Sequence, residues 1–134
     1  GEMPTSAGMS VLFADLDHFK RINDNYGHAV GDDVLRQFAQ LVQSEIRSTD
    51  ALVRWGGEEF LVICPNTQID QAMRLAEKLR ASVANAQWPS SIMLTCSCGV
   101  ATRAQGEEFS SLIERADAAL YKAKDNGRNR VEVG

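Results

Sequence analysis

The amino-acid sequence predicts an α+β domain: a ferredoxin-like βαββαβ core with an extra helix in its first crossover and an αβ extension at its C-terminus. Three observations predict it. Short apolar runs alternate with stretches whose apolar residues recur every three or four positions. These segments follow the order β-α-α-β-β-α-β-α-β. Two of the strands are joined by Gly56-Gly57, a hairpin signal.

Val11-Leu12-Phe13-Ala14 is apolar without alternation, as a strand buried on both faces should be. A helix follows with Phe19, Ile22 and Tyr26 on one face, and Gly27 to Gly31 breaks it. A second helix is predicted from about Asp32 to Ile46, with Val34, Leu35, Phe38, Leu41, Val42 and Ile46 as its stripe. Ala51–Trp55 and Glu59–Cys64 read as strands, and the glycines between them accept the positive φ of a tight turn. Pro65 stops the second of these strands. Thr67-x-x-Asp70 resembles a capping box for a third helix with the stripe Met73, Ala76, Leu79 and Val83. Met93–Ala101 reads as a strand with Leu94, Cys96, Cys98 and Val100 inward. Ser111-x-x-Glu114 caps a fourth helix carrying Leu112, Ile113, Ala116, Leu120 and Ala123. Gly127 suits the position past its end. Val131-Glu132-Val133 is a short last strand.

The 134 residues are enough for one domain, expected over residues 10–134 after a tail over 1–9. A net charge of -4 speaks against holding nucleic acid through its phosphates, although a small phosphate ligand needs only a local cationic pocket or a metal ion. The three cysteines are odd in number and sit in apolar runs, so they read as reduced, buried small hydrophobes, as in the cytoplasm. No run is apolar enough to span or contact a membrane, and the domain fits a longer sensor protein, soluble or membrane-anchored.

In this core the end of the first strand meets the start of the third, so Asp15-Leu16-Asp17 approaches Gly56-Gly57-Glu58-Glu59. Clustered carboxylates repel unless a cation joins them. Magnesium prefers oxygen ligands, typically one or two carboxylates plus substrate phosphates. Each acid alone reads as a solvated strand end, but the convergence of Asp15 and Glu58 points to a metal. Lys20, near a helix start whose amides suit phosphate oxygens, either offsets phosphate charge or is an exposed helix lysine. Asp17 reads as an N-cap. The two glycines let a ligand approach the backbone closely.

Gly56-Gly57-Glu58-Glu59-Phe60 resembles the signature of the GGDEF family of diguanylate cyclases, in its Glu-Glu form. Phe13-Ala14-Asp15-Leu16-Asp17-His18-Phe19-Lys20, Ile22-Asn23-Asp24, Gly27-His28 and Gly31-Asp32 resemble family blocks in the right order. So do Ser97-x-Gly99-Val100, Ala116-Asp117-x-Ala119-Leu120-Tyr121 and Lys124-x-x-Gly127-Arg128-Asn129. The family usually has a further N-terminal helix; nothing like it precedes Val11, which reads as a truncation. The resemblance implies a nucleotidyl cyclase or palm-like fold that condenses two GTP into cyclic di-GMP and two pyrophosphate.

It implies magnesium or manganese, two ions per site, at Asp15, the Leu16 carbonyl, Glu58 and Glu59. Glu58 would take the proton of the ribose 3′-hydroxyl, and Lys20 would stabilise the phosphoryl transition state. Asn23 and Asp32 would read guanine, with His28 and Gly57 close to the nucleotide. Lys124 and Arg128 would hold the triphosphate, and as cations near a helix C-terminus they also suit its dipole. A carboxylate at Asp32 can accept from the N1–H and 2-amino groups of guanine, which adenine does not offer. The product is two-fold symmetric, so two domains facing each other as a homodimer are expected. Arg47-x-x-Asp50 resembles the family's inhibitory site for its product, cyclic di-GMP; it also reads as a helix-ending arginine and a turn aspartate. Lys78 stands where many relatives carry a second arginine of that site. Two other readings share these features: a catalytically silent module that binds GTP or cyclic di-GMP, and a polymerase-like palm. The filled signature counts against the first and the acidic charge against the second.

Overall fold

A computed structural model describes residues 8–134. The expected tail over 1–9 falls mostly outside the described residues. The elements are β1 (Met9–Leu16), α1 (Phe19–Tyr26), α2 (His28–Glu45), β2 (Ala51–Arg54), β3 (Glu59–Pro65), α3 (Ile69–Asn85), β4 (Cys96–Thr102), α4 (Phe109–Asp125) and β5 (Val131–Val133), with a 3-10 turn at Pro89–Ser91. The sheet order is β2-β3-β1-β4-β5. The central strand β1 runs antiparallel to β3 and β4, while β5 joins β4 in parallel.

Strand alternation sorts the core into two layers. Leu12, Ala14, Phe60, Val62, Cys64, Cys96, Cys98 and Val100 face one side, where α1, α2 and α3 deliver Phe19, Ile22, Val34, Phe38, Ala76, Leu79 and Val83. Val11, Phe13, Leu61 and Ala101 face the other, covered by Leu112, Ala116 and Leu120 of α4. β1 is therefore buried on both faces, as its unbroken apolar run requires. All three cysteines are free and buried, and burial pushes the Cys64 thiol up to about 12. Among the described residues no helix is long and apolar enough to cross a membrane.

Several local expectations shift. α2 begins at His28, so only Gly27 (φ 90) breaks the chain and Gly31 lies inside the helix. A Cβ at Gly31 would collide with the Asn23 Oδ1, so this glycine lets α1 and α2 close together. Tyr26 is exposed at the end of α1. Gly56 and Gly57 do not adopt positive φ. The hairpin is wider than a two-residue turn: Trp55 N–H and Gly56 N–H both donate to the Glu59 carbonyl. The α3 capping box is Gln68 with Gln71, and Ala72 replaces Met73 on the buried face. β4 starts at Cys96, and Met93 is exposed. α4 starts at Phe109, earlier than the Ser111 cap, and the Ser111 hydroxyl donates to Glu107 instead.

Candidate active site

The register places Asp15 opposite Glu59 on β3 and opposite Ser97 on β4, at the end of the sheet where β1 leaves and the Gly-Gly loop enters. A cleft of about 370 Å³ opens there. It is lined by Asp15, Leu16, Lys20, Glu58, Lys124 and Arg128, together with Asp17 and the start of α1. The structure thus brings together six of the residues singled out from the sequence. They come from the β1 end, the first turn of α1, the hairpin loop and the α4 end.

Asp15 is 5% exposed. The Lys124 ammonium pairs with its Oδ2, and its Oδ1 is buried without a hydrogen-bond partner. Burial raises the Asp15 carboxyl above the usual carboxylate range; Lys124 opposes the shift, and the nearby carboxylates of Glu58 and Asp17 add to it. Glu59 is also raised, first by burial and then by Asp117 of α4 and by Asp15. A buried carboxylate oxygen with no donor is costly unless a cation or proton meets it. The donor set fits a hard divalent ion: two carboxylates, Asp15 and Glu58, and the backbone oxygen of Leu16. Among the described residues no group of three or more His, Cys, Asp or Glu side chains forms a ready cage. Such a set leaves positions for phosphate oxygens and water, the usual magnesium arrangement in phosphoryl-transfer sites.

Asn23 and Asp32 lie beyond this cleft. Asn23 rests against Gly31, which brings its amide beside the first turns of α2. Asp32 lines a neighbouring depression of about 600 Å³ with Leu35, Arg36, Ala39, Leu52, Arg54 and Phe60. His28 is exposed at the start of α2. Gly57 is exposed in the hairpin loop, and a Cβ there would meet open space.

Two residues given no part in the site from the sequence help to shape it. Arg54 donates from Nε and Nη2 to the Gly57 carbonyl at 3.1 and 2.5 Å, tethering the loop that carries Glu58. Asp17 is not an N-cap: that position is His18, in the left-handed region at φ 57 and without a side-chain cap. Asp17 is buried instead, and it accepts from the Thr95 and Ser97 hydroxyls at 2.6 and 2.7 Å. A sequence signal existed in Thr95-x-Ser97, hydroxyls at the two-residue spacing of one strand face.

The Arg47 motif lies at the opposite end of the sheet. Arg47 Nη2 donates to Asp50 Oδ1 at 2.8 Å, to the Pro65 carbonyl at 2.9 Å and to Thr67 Oγ1 at 2.6 Å. The Arg47 N–H donates to Asp50 Oδ2 at 2.9 Å, and the Asp50 side chain is 2% exposed. A hollow of about 190 Å³ beside them is lined by Glu45, Arg47, Asp50, Cys64 and Thr67. Lys78 lies outside this hollow, 3.6 Å from Glu45 on its rim.

The comparisons with known proteins agree with one another. Residues 3–130 match the family described as "Diguanylate cyclase, GGDEF domain". The chain is 47% identical over 122 residues to diguanylate cyclase DgcM of Escherichia coli K12, covering 91% of this chain and 30% of that protein. It is 46% identical over 129 residues to diguanylate cyclase A of Treponema denticola, covering 93% of this chain and 35% of that protein. The chain thus spans about a third of the length of these relatives. Its fold matches the active GGEEF domain of a diguanylate cyclase from Vibrio cholerae with a TM-score of 0.89 and 38% identity, over 94% of this chain and 82% of that one. It matches the coiled coil and GGDEF domain of DgcB from Caulobacter crescentus, in complex with c-di-GMP, with a TM-score of 0.90 and 34% identity, over 95% and 70% of the two chains. A signature hairpin set against a strand-end aspartate, a fold shared with solved GGDEF domains and a match along nearly the whole sequence together show that this chain belongs to the GGDEF domain family of diguanylate cyclases.

Proposed function

We propose that this chain is the catalytic domain of a diguanylate cyclase, joining two GTP into cyclic di-GMP with release of two pyrophosphate. The observation that carries the reading is the buried Asp15 carboxylate, with one unpartnered oxygen, facing a cleft lined by Lys20, Lys124 and Arg128. That pairing of an oxygen-ligand site with three cations suits a nucleoside triphosphate accompanied by a divalent ion.

Asp15, Glu58 and the Leu16 carbonyl would hold magnesium or manganese, two ions per site, with Glu59 at the edge. When bound, such ions neutralise phosphate charge and make an attacking hydroxyl more acidic. Glu58 takes the proton of the ribose 3′-hydroxyl of one GTP. That oxygen forms a bond to the α-phosphorus of a second GTP, and the bond from this phosphorus to the oxygen bridging to the β-phosphate breaks. Pyrophosphate leaves with the bonding pair. Lys20 balances charge on the transferring phosphoryl group, while Lys124 and Arg128 hold the triphosphate. Asn23 and Asp32, with His28 alongside and Gly57 leaving room for the nucleotide, select guanine. The same transfer repeated in the other direction closes the ring, so two domains each present one GTP to the other.

Cyclic di-GMP would also inhibit through Arg47 and Asp50, with Lys78 at the margin. The support is the position of this motif and its cavity, far from the metal ligands along β1 and β3. Arg47 must exchange some of its intramolecular partners to grip the product, so inhibition should be weak for this family.

The test is to hold two copies of the chain together by a fused dimerisation segment and supply GTP with magnesium. Two pyrophosphates per cyclic dinucleotide are expected, with ATP poorer by roughly a thousandfold or more, because its base leaves the Asp32 carboxylate unpaired. GTP binding with no cyclic dinucleotide would overturn the catalytic reading in favour of a silent binding module.

A further inference from the structure

We propose that Asp17 is a positioning residue for the phosphate-binding arm of the site, acting through the turn that carries Arg128. The inference rests on the reading above that the cleft takes GTP. Asp15 and Asp17 flank the same strand end, yet the structure treats them differently. Asp17 is 6% exposed and fully engaged. Its Oδ1 accepts from the Ser97 hydroxyl at 2.7 Å, and its Oδ2 accepts from the Thr95 hydroxyl at 2.6 Å and from the Asn129 N–H at 3.0 Å. Its own N–H donates to the Thr95 carbonyl at 2.9 Å. With its carboxylate so occupied by protein donors, Asp17 is an anchor rather than a cation ligand.

What it anchors is an unusual piece of backbone. After α4 the chain passes through Gly127 at φ 120, Arg128 at φ 64 and Asn129 at φ 47. Two successive non-glycine residues in the left-handed region need support, because Cβ crowds the backbone there. Hydrogen bonds from outside the turn supply it. The Arg128 N–H donates to the Ala123 carbonyl at 2.9 Å. Arg80 Nη1 donates to the Asn129 Oδ1 at 2.7 Å. Another is the Asn129 N–H to Asp17, the link among these that ties the turn to the β1 end of the site. Arg128 and Lys124 on this arm line the same cleft as Asp15 and Glu58. Asp17 thus helps, beside the Lys124–Asp15 ion pair, to fix the distance between the cation arm and the metal-ligand strand.

The test is calorimetry of the purified chain with α,β-methylene-GTP and magnesium, and separately with GMP. Asp17→Ala and Arg128→Ala should each weaken the triphosphate analogue by roughly tenfold or more, since small displacements of a positioning group carry large penalties. GMP affinity should stay within about twofold, because a lost anchor on the triphosphate arm leaves base recognition in place. The double variant should bind no more weakly than Arg128→Ala, since both changes remove one contact. Asp17→Asn keeps an acceptor for the Asn129 N–H and should restore most of the binding. If Asp17→Ala does not fold, Thr95→Val, which removes a donor to the same Oδ2, should show a smaller loss confined to the triphosphate. The proposal is overturned if these variants lose GMP and triphosphate affinity alike, if Asp17→Ala binds the triphosphate as the wild type does, or if the double loss is the product of the single ones. Wild-type protein that binds neither nucleotide would overturn the GTP reading, and this inference with it.

Discussion

Asp50 and Asp15, at the two ends of the sheet, are acidic side chains in opposite states of satisfaction. At the α2–β2 junction Asp50 is 2% exposed and meets three donors, two from the Arg47 side chain and one from its backbone. At the other end Asp15 is almost as buried, but Lys124 reaches one oxygen and the second has no partner. Burial raises the Asp15 carboxyl. Most buried polar groups find a hydrogen-bond partner within the fold. The difference teaches that Asp50 is already satisfied within the fold, whereas Asp15 keeps an oxygen that, on the reading proposed above, receives a cation from outside it.

Conservative amides break that comparison most sharply. Asp15→Asn removes a buried charge, so the melting temperature should stay the same or rise. Turnover should fall by roughly 10²–10³-fold or more, as when a group acting on the reacting phosphate is lost. Asp50→Asn keeps the shape but weakens charge-assisted bonds, so stability should drop by about 1–3 kcal/mol. Thermal melts and turnover of the two variants check this, and equal destabilisation by both would contradict it.

Arg47→Ala sharpens the Asp50 side. It strands a buried carboxylate, but the guanidinium is half exposed and part of its strength is screened, so about 1 kcal/mol of stability should be lost. The same variant should resist inhibition by cyclic di-GMP in a dimer-forced state. Inhibition as strong as in the wild type would remove Arg47 from the product site.

The smallest effect concerns a third carboxylate, in the loop between β4 and α4. Glu107 receives the Arg115 guanidinium at 2.7 and 2.8 Å, the Ala104 N–H and the Ser111 hydroxyl. Arg115 first, then these other donors, hold its carboxyl well below the usual range. A depressed value means that the folded state binds the proton less readily than the unfolded one. Its stabilisation is therefore complete above the ordinary glutamate value of about 4.3 and is lost as pH falls towards the folded value. Arg115→Ala should flatten the acid-side decline of the melting temperature below about pH 4.5. An unchanged pH profile would show that the pair contributes nothing.

Much of this was legible in the sequence, and the particular failures are instructive. The unbroken run Val11–Ala14 and the alternation of Cys96, Cys98 and Val100 gave the strands their faces, because burial reads directly onto periodicity. The pairing of β1 with β3 then followed from topology and set Asp15 opposite Glu59. What failed was local. Gly31 looked like a breaker, yet it sits inside α2 to admit the Asn23 side chain, a tertiary demand that no single segment reveals. Thr67 looked like a cap, yet it donates to the Pro65 carbonyl and accepts from Arg47. Asp17 looked like a cap too, but its partners lie just before and on β4 and after α4, far along the chain. Hydroxyls and carboxylates can satisfy many geometries, so sequence spacing alone does not choose among them.

The measurement that bears most directly on the claim that Asp15 awaits a cation is electron paramagnetic resonance of manganese with the purified chain and α,β-methylene-GTP. Wild-type protein and Asp50→Ala, provided the latter is folded, should both draw the free-ion signal down as the nucleotide-bound ion is taken up. Asp15→Ala should leave the signal at the level that manganese and the nucleotide reach without protein. Manganese uptake by Asp15→Ala equal to that of the wild type would contradict the account, and Asp15 would then be a buried acid with no ligand to hold.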